Sequence, residues 1–492
     1  MDAVTDGPEL LDELATHAHR THVVVIGGGI AGLAAALECA KVGMPVTVLE
    51  ASDRFGGTIA TVQLDGLPVD TGATCWSAGG AMSALVDELG LGASVVEARA
   101  SGVWITGLAK GGAAPVPAQS LLGIPANPWD AGVRRFIGWN GAWRAYLDRL
   151  RPPLTIGKER NLAKLVRTRM GDAVLERMVA PLTAGRFGIR PEHVDVTIAA
   201  PGLGAALTRT GSLGGAVADV LVDRRKASYQ SLEGGLGRIV DALVERLGSL
   251  GATLHTGVRV DSIAPDEKGR WVVGHEAHAD VVPLAPADAL FVATDDVTAR
   301  GLLSPHLPAA LDESMTDAAP RRDIVTLVVD EPALDASAGV EVYAVPGALR
   351  ASGLVHQTAR WEWLATAAGT SRHVLSVAFD AQRGAAAATD GLAPADIAAL
   401  GRAEASALLG VALGEQSIRA VHHGSFVLAA PDSAFGLRER TDAVRDAVRA
   451  RPGLAALGAW LSGSGLERVV ADAREQAESV RRAALFGASR SN

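Results

Sequence analysis

The spacing of apolar positions changes along this chain, and the changes indicate where strands give way to helices. Val23 to Ile26 is an unbroken run of β-branched residues, as in a strand buried within a parallel sheet. The apolar positions of Ile30 to Val42 then recur at helical spacing, and Gly43 predicts where that helix stops. A second apolar run, "VTVL", ends in Glu50. The pattern predicts a β-α-β unit of about thirty residues.

Glycines join the first strand of this unit to its helix. At this spacing they are weak evidence alone, because the chain holds 56 glycines. The flanking strand and helix give them weight, since glycines there allow a tight turn and let a pyrophosphate approach the helix N-terminus. The acid at the end of the second strand would accept hydrogen bonds from ribose hydroxyls. The predicted dinucleotide contacts are Gly27, Gly28, Gly29, Ile30, Ala31, Gly32 and Glu50.

The stretch that follows, "EASDRFGGTIAT", indicates which dinucleotide binds. It resembles the FAD-binding start of the amine oxidase-like flavoproteins, where an E-x-x-x-R-x-G-G pattern succeeds the first β-α-β unit. The resemblance implies non-covalent FAD, with the basic residue and the glycines along its pyrophosphate and ribityl chain. Thr58 stands where the family usually has a basic residue. The contacts implied here are Ala51, Arg54, Gly56, Gly57 and Thr58.

Two further segments resemble parts of the same family's FAD site. "VDTGAT", residues 69–74, is similar to the segment whose backbone passes close to the flavin ring, which implies contacts from Gly72, Ala73 and Thr74. Val258 lies where the family hydrogen-bonds the adenine through its backbone.

The C-terminal region, Pro452 to Val480, is predicted to form a strand, a glycine turn and an amphipathic helix from Leu466. It resembles the family's last unit, whose helix N-terminus points at the flavin pyrimidine. This implies that backbone amides at Ser464, Gly465 and Leu466 stabilise negative charge on the reduced flavin, with Ala459 nearby. Many relatives have an acid where this chain has Ala459-Trp460, a pattern similar to that of the porphyrinogen oxidases.

The middle of the chain resembles the porphyrinogen oxidases of haem biosynthesis in "LVRTRMGDAVLERMVAPLTAGRFGIRPEHVDV" and "GSLGGAVADV". The resemblance implies oxidation of a porphyrinogen, coproporphyrinogen III before protoporphyrinogen IX, with O2 as electron acceptor. Two positions depart from it, because Ser433 and Leu437 stand where that family has Tyr and His. A flavin-dependent amine oxidase or desaturase for another apolar substrate is the alternative.

The predicted fold class is α/β, a Rossmann-type FAD-binding domain with a discontinuous α+β substrate domain and a helical insertion. A polar tail, 1–20, precedes FAD-binding segments at 21–114, 227–305 and 451–492. The helical insertion, 115–226, would face substrate or membrane, and a substrate-binding sheet would occupy 306–450. Within the insertion, Arg167 and Arg169 are expected to face outward. Its aromatic residues Trp129, Trp139, Trp143 and Tyr146 are expected either to pack between helices or to line the substrate.

Candidate substrate residues are few. Trp76 would stack on a pyrrole or belong to the core. Arg186, with Phe187 beside it, and Arg190 are candidates for the substrate carboxylates. No motif identifies a catalytic residue. No His, Cys and Asp spacing suits zinc, and the adjacent His422 and His423 would point to opposite faces of a strand, so no metal is predicted.

Composition narrows the partners. The net charge of −9, with no basic run and 4% aromatic residues, argues against nucleic acid. Two cysteines, Cys39 and Cys75, suit a reducing compartment. The first twenty residues lack the apolar stretch of a signal peptide, and no window is apolar enough to span a bilayer. A cytoplasmic protein is therefore predicted, with peripheral membrane contact left open and no prediction of oligomeric state.

Overall fold

Two large sheets and a group of helices make up the computed structural model of this chain. The structure describes residues 14–99, 102–108, 112–150, 159–223, 228–276, 284–311, 320–336, 339–381 and 385–486.

The first sheet, here called the parallel sheet, has five parallel strands, all short and apolar. Its first strand, Val23–Ile26, lies in the centre and is completely buried, as its β-branched sequence predicts. The neighbouring strands come from distant parts of the chain. In spatial order the strands are Thr253–His255, Val46–Leu49, Val23–Ile26, Ala289–Val292 and Leu454–Ala456.

Helices cover both faces of the parallel sheet, and their apolar sides form the largest core cluster. The first helix, Ile30–Ala40, ends before Val42, which is 37% exposed, so the predicted extension to Val42 is wrong. The covering helices are Ile30–Ala40, Gly80–Glu88, Gly237–Ser249, Asp296–Leu303, Leu437–Arg449 and Leu466–Phe486, with the short Ala459–Ser462 between sheet and last helix.

The second sheet, here called the large sheet, has seven strands that are antiparallel except for one parallel pair, Gly339–Ala344 with Gly102–Leu108. The helix Pro394–Leu409 begins at its predicted proline and packs on one face of this sheet. In spatial order the strands are Ile418–Val427, Arg321–Asp330, Arg372–Ala381, Gly353–His356, Gly339–Ala344, Gly102–Leu108 and Gly112–Pro115. The helices Gln357–Arg360 and Glu362–Ala368 follow its fourth strand.

The helical insertion is a separate apolar cluster with its own core. Its helices are Ala131–Tyr146, Leu162–Met170, Asp172–Val174, Val196–Ala199, Leu203–Thr210 and Leu213–Asp223, with π-helical turns at Leu175–Val179 and Pro181–Arg186. A hairpin of Ser120–Leu121 and Ile124–Pro125 precedes them. Trp139 and Trp143 are 68% and 57% exposed, so these two rings are not buried between helices.

Small sheets complete the architecture. Trp76–Ser77, Tyr229–Leu232 and Val95–Glu97 form a three-stranded antiparallel sheet. Two hairpins pair Thr61–Leu64 with Leu67–Asp70 and Val260–Pro265 with Trp271–His275. Single 3-10 turns are Gly92–Ser94, Leu147–Leu150, Pro191–His193, Pro332–Leu334 and Glu415–Ser417.

Two of the predicted domain boundaries need correction. Strands Gly102–Leu108 and Gly112–Pro115 lie in the large sheet, not in the FAD-binding segment that was expected to run to 114. Helix Leu437–Arg449 buries Val444 and Val448 against the parallel sheet, although the expected substrate sheet ran to 450. The strand Gly102–Leu108 pairs with Gly339–Ala344, which is distant in sequence, so a local pattern does not reveal its place. Helix Leu437–Arg449 instead packs beside the strand Leu454–Ala456 that follows it closely in sequence.

The predicted fold class is confirmed: a Rossmann-type parallel sheet is interleaved with a second sheet and a helical insertion. Within the described ranges, every helix is too short or too polar to cross a bilayer.

Arg169 was expected to face outward, and this is wrong. Its side chain is 4% exposed and donates from Nη1 to Asp148 Oδ1 at 2.9 Å. Asp148 also accepts from the backbone amide of Leu213, at the start of another helix. A buried guanidinium is stable only when it is paired. Helical spacing does not show that Asp148 is within reach, so it could not predict that Arg169 is buried.

Substituting Arg169→Met should remove the guanidinium that pairs with the buried carboxylate of Asp148. Removing one member of a buried pair costs about 3 kcal/mol or more, so we expect a clearly lower midpoint of thermal unfolding, measured by circular dichroism. The matched control is Arg167→Met, because Arg167 lies on the same helix with 49% of its side chain exposed. Equal midpoints for the two variants would contradict the importance of this pair.

A buried histidine pair connects two strands of the large sheet and should make stability depend on pH. His356 Nε2 lies 3.1 Å from His373 Nδ1, and His356 is 1% exposed. Burial, with a smaller effect of His373, lowers the pKa of His356 from 6.5 to about 3. The unfolded chain therefore takes up this proton first, and stability is lost as the pH falls from 6.5 toward about 3.

Replacing His356 by Gln should reduce that loss, because glutamine does not titrate. The free energy of unfolding of the parent should fall by up to about 1.4 kcal/mol more per pH unit than that of His356→Gln. Urea unfolding at a series of pH values measures both slopes, and His193→Gln, at an exposed position, serves as control. Parallel slopes for parent and His356→Gln would rule out this origin of the acid sensitivity.

Candidate functional site

The glycines after the first strand have different tasks. Gly27 has φ 106°, and a Cβ there would lie 2.5 Å from the carbonyl oxygen of Ala293. A Cβ on Gly32 would lie 2.0 Å from the carbonyl oxygen of Gly27, so this glycine lets the helix approach the strand. At Gly29 a Cβ would meet no atom within 4 Å. The open space at Gly29 is where a pyrophosphate is predicted to lie.

The first helix begins at this open space without a side-chain cap. Its N-cap is Gly29, no side chain accepts from its first amides, and its first turn carries no acid. Unpaired amides at a helix start favour an anion. Contacts of Ile30 and Ala31 with the phosphates stay a prediction, which this uncapped helix start supports.

Glu50 holds the neighbouring loop and faces the same edge. Its Oε2 accepts from the amide of Gly28 at 2.7 Å, and its Oε1 accepts from Ser52 N and Oγ. These bonds fix the carboxylate next to the glycine turn, where a ribose is predicted. The amide of Val258 donates to the backbone oxygen of Glu50 at 2.8 Å. Since that amide is occupied, the predicted backbone contact of Val258 with adenine would have to use its carbonyl oxygen as an acceptor. Ala51 is exposed beside them.

Arg54 supports the second glycine loop rather than pointing away from it. Its guanidinium donates to the carbonyls of Gly57 at 2.9 Å and Ile59 at 3.1 Å. The amide of Gly56 donates to Gly28 at 2.8 Å, which places this loop beside the first. A Cβ on Gly57 would meet only the Cα of Gly29, at 3.4 Å. These bonds shape the loop, and a contact of Arg54 with the pyrophosphate stays a prediction.

The segment predicted to pass the flavin ring is held against that loop. The carbonyl of Thr58 accepts from the amide of Ala73 at 2.8 Å, and a Cβ on Gly72 would lie 2.1 Å from the same oxygen. The same Cβ on Gly72 would lie 3.1 Å from the ring of Phe426, which is on the edge strand of the large sheet. Thr74 follows, half-buried, and leads to Cys75. Sequence reasoning did not identify Phe426.

The C-terminal turn reaches the same edge of the parallel sheet. Ser464 donates its amide to Ala430 O at 3.3 Å, so of the three predicted amides this one is already engaged. Gly465 has φ 156°, and a Cβ there would meet nothing within 4 Å. Gly465 has no side chain with which to cap the helix that begins at Leu466. Ala459 begins the short helix before this turn.

A carboxylate that the sequence did not single out fixes this last helix. Glu467 accepts from the amides of Met82, at 2.9 Å, and Ala81, the first turn of another helix. Asp432 pairs with Arg468 at 2.7 Å from the other side. The N-terminus of the last helix is therefore held from two directions.

A buried polar cluster adjoins the flavin-side segment. Glu341 and Arg360 are 4% and 6% exposed, and Arg360 Nη1 lies 3.1 Å from Glu341 Oε1. Tyr343 Oη donates to Glu341 Oε2 at 2.8 Å. Arg360 Nη2 also reaches the sulfur of Cys75 at 3.4 Å. The large sheet thus meets the segment after Gly72 through this cluster.

Arg186 completes the cluster from the helical insertion. Its Nε lies 3.6 Å from Glu341 Oε2, and 30% of its side chain is exposed. Burial by itself would lower the pKa of Arg186, but the Glu341 carboxylate raises it above its ordinary value. Tyr229 lies beside both guanidinium groups, 5.5 Å from each to the ring centroid. Two guanidinium groups thus share one carboxylate, and Arg186 is the one that solvent can reach.

The other candidate substrate residues fare differently. Trp76 is 2% exposed, packs in the core of the parallel sheet and donates from Nε1 to Ser83 at 3.1 Å, so stacking of Trp76 on a substrate is wrong. Phe187 is 42% exposed beside Arg186, at 5.8 Å. Arg190 is exposed. The backbone oxygen of Ser433 accepts from the amide of Asp195, and Leu437, itself buried, begins the helix Leu437–Arg449.

A weak signal for Glu341 existed in the sequence. In "VEVYA", Val340 and Val342 alternate with Glu341 and Tyr343, so the polar pair shares one face of a strand. That face is covered by the insertion, where a Cβ on Gly185 would lie 2.5 Å from the Tyr343 ring. The alternating pattern alone would also suit an exposed polar face. Packing of the insertion against the strand is what buries Glu341.

Two glycine loops and two helix N-termini meet at the carboxyl edge of the parallel sheet, with a second sheet beside it. This arrangement is that of a flavoprotein with a Rossmann-type domain and a separate substrate domain. This chain belongs to the family of flavin-containing amine oxidoreductases, whose model matches residues 30–481. Its cofactor is FAD, and it is an FAD-dependent oxidoreductase. The residues fit that cofactor, because there is free space at the predicted contact positions. A Cβ built on Gly29 or Gly465 would meet no atom within 4 Å, and one on Gly57 would meet a single backbone atom.

Among individual proteins, the chain is similar to the coproporphyrinogen III oxidase of Propionibacterium freudenreichii subsp. freudenreichii, with 28% identity over 95% of this chain and 92% of that protein. It is 31% identical to the coproporphyrinogen III oxidase of Mycobacterium bovis over a shorter stretch, 56% of this chain and 61% of that protein.

Solved structures show the same fold. A structure from Exiguobacterium sp. 255-15, provisionally named a protoporphyrinogen oxidase, superposes with a TM-score of 0.80 at 24% identity, covering 94% of this chain and 98% of that one. Putrescine oxidase with bound putrescine superposes with a TM-score of 0.61 at 16% identity, over 94% and 98% of the two chains.

Gly29→Val should separate folding from cofactor binding. Gly29 has extended backbone angles and free space around it, so the new side chain causes no strain but occupies the predicted pyrophosphate position. We expect a folded protein with its FAD lost, read from circular dichroism and flavin absorbance. Gly204→Val is the matched control, since a Cβ at this helical glycine also meets nothing within 4 Å. Full FAD content in Gly29→Val would contradict the predicted placement.

Proposed function

We propose that this chain oxidises coproporphyrinogen III to coproporphyrin III, with O2 as the electron acceptor. The single observation that carries the proposal is the match to a coproporphyrinogen III oxidase over 95% of the chain. Protoporphyrinogen IX, which has fewer carboxylates, is the second candidate substrate. Both cysteines are free thiols, which suits the cytoplasm as the place of this reaction.

The charge of the polar cluster supports an anionic substrate. Arg186 and Arg360 bring two positive groups, and Glu341 neutralises one of them. The remaining charge lies on the reachable Arg186, where a propionate carboxylate can form a charge-assisted hydrogen bond. An ammonium substrate would be repelled at the same place, which disfavours the amine oxidase alternative.

Each residue has a simple task in this proposal. Arg186 binds a substrate carboxylate, while Glu341, held by Arg360 and Tyr343, fixes the orientation of the Arg186 guanidinium. When bound, FAD supplies the hydride acceptor, and the protein needs no nucleophile of its own. The amides at Gly465 and Leu466 stabilise negative charge beside the last helix. Six electrons leave the substrate in three steps, and each reduces one O2 to hydrogen peroxide.

Anaerobic mixing tests the reaction directly. Purified protein with its FAD is mixed with coproporphyrinogen III and, separately, with protoporphyrinogen IX, and flavin absorbance is followed. We expect rapid bleaching with coproporphyrinogen III, slower bleaching with protoporphyrinogen IX, and porphyrin fluorescence once air is admitted. A flavin that stays oxidised with both would overturn the proposal, and putrescine would then be the next substrate to try.

Arg186→Met should weaken substrate binding more than turnover. Losing one charge-assisted hydrogen bond costs about 1.5–3 kcal/mol, so KM for coproporphyrinogen III should rise about tenfold or more while kcat stays within a few-fold. Steady-state porphyrin fluorescence gives both constants. The control is Arg135→Met, an exposed arginine on the helix Ala131–Tyr146 of the insertion. An unchanged KM in Arg186→Met would remove this residue from the substrate site.

A further inference from the structure

An imidazole on the edge strand of the large sheet has no task in the chemistry above. Strand Ile418–Val427 presents His422, Gly424 and Phe426 to one face, because alternate residues of a strand point the same way. The ring of Phe426 reaches the segment that is predicted to pass the flavin, since it would lie 3.1 Å from a Cβ on Gly72. His422 therefore lies on the face of this strand that looks toward the flavin site.

The space between the two rings is kept free by a glycine. A Cβ on Gly424 would lie 3.0 Å from the ring of Phe426 and 3.7 Å from Nε2 of His422. The imidazole thus presents its Nε2 to the space above Gly424. Among the described residues, none forms a hydrogen bond with the ring of His422. This nitrogen is therefore available to a bound molecule.

The sheet face beside this imidazole is partly open, although it belongs to the middle of a seven-stranded sheet. Ile324 lies opposite the glycine, Ala378 lies opposite Ile324, and Val355 is on the strand after that. All three side chains keep part of their surface exposed. Val355 in turn lies opposite the carboxylate that holds Arg186. An apolar floor therefore extends from His422 to the predicted contact for a substrate carboxylate.

The surroundings of His422 keep its imidazole neutral. Burial, the neighbouring His423 and Arg54 from the second glycine loop lower the pKa of His422 below its ordinary value of 6.5. The opposing strand presents Thr326, and the hairpin strand Thr61–Leu64 that packs against it has no titratable side chain. At neutral pH the ring therefore has a free lone pair and can accept a proton.

We propose that His422 is the catalytic base of the oxidation and takes up the proton that a pyrrole N–H of the substrate loses. This role rests on the proposed function. In one oxidation step a C–H bond of the substrate breaks, and its hydrogen leaves with the electron pair as hydride to FAD. The N–H bond also breaks, and its proton passes to Nε2 of His422. The electron pair left on nitrogen enters the new double bond, and the imidazolium then returns the proton to water.

Anaerobic rapid mixing with saturating coproporphyrinogen III tests this role through the rate of flavin reduction. His422→Gln keeps a polar side chain but does not titrate, and its flavin should be reduced about a hundredfold more slowly. The matched control is His423→Gln, because His423 points to the opposite face, where its Nε2 lies 3.9 Å from Asp323. We expect this control to be reduced as fast as the parent. Flavin absorbance and circular dichroism verify that both variants bind FAD and fold.

The dependence of the same rate on pH gives a second measurement. The parent rate should fall toward acid with a midpoint below 6.5, because a protonated imidazole cannot accept another proton. This acid limb should be absent from His422→Gln. A parent rate that does not fall toward acid would overturn the role of His422 without the need for any variant.

Histidine-ring NMR separates a catalytic from a structural role without turnover. The His422 signal is identified by its loss in His422→Gln, and it should shift when coproporphyrin III, the product, is added to the protein with its FAD. A signal that does not move, or equal rates of reduction in parent and His422→Gln, would overturn the role of His422 and leave the proposed function standing. A parent flavin that stays oxidised with both porphyrinogens would overturn the proposed function, and the role of His422 with it.

Discussion

Parallel pairing of Val23–Ile26 with Ala289–Val292 is the constraint on which the rest of this structure depends. In this register Ile26 lies opposite Val292, so the turn at Gly27 meets the backbone of Ala293 with no room for a Cβ. Leu454–Ala456 pairs with the other edge of Ala289–Val292 and brings Gly458 close to Thr294. Parallel strands present their carboxyl ends at one edge, and every predicted cofactor segment therefore gathers there.

The second half of the site depends on charges that have to be satisfied where the large sheet and the helical insertion meet. Arg322 forms a two-pronged pair with Asp380 and donates to the carbonyl of Gly185, in the turn that carries Arg186. Arg360, at the end of the short helix Gln357–Arg360, pairs with Glu341, which lies two strands beyond Asp380 in the large sheet. Buried ions without partners are costly, so these pairs restrict how the insertion can sit. The position of Arg186 follows from them.

Rigidity at the last helix comes from side chains outside the glycine motif. Glu467 accepts hydrogen bonds from the first-turn amides of the helix Gly80–Glu88, and Asp432 forms a salt bridge with Arg468. A helix start stabilises charge only if its direction is fixed before the charge appears, because reorientation would consume the gain. The loop that supplies Asp432 also bonds the insertion, through Asp195 and Ser433. One loop therefore connects the parallel sheet, the large sheet and the insertion.

The sequence by itself determined the local elements and the cofactor half of the site. Strand Val23–Ile26, the glycine turn and the helix Pro394–Leu409 could be predicted because their signals, β-branched runs, glycines and a first-turn proline, act within a few residues. Tertiary structure alone decided that Gly102–Leu108 joins the large sheet, that Arg169 and Trp76 are buried, and that Glu341 meets Arg186. Those outcomes depend on which distant segments bury one another, and the free energy of burying a charge or a ring depends on its partner, which no local pattern contains.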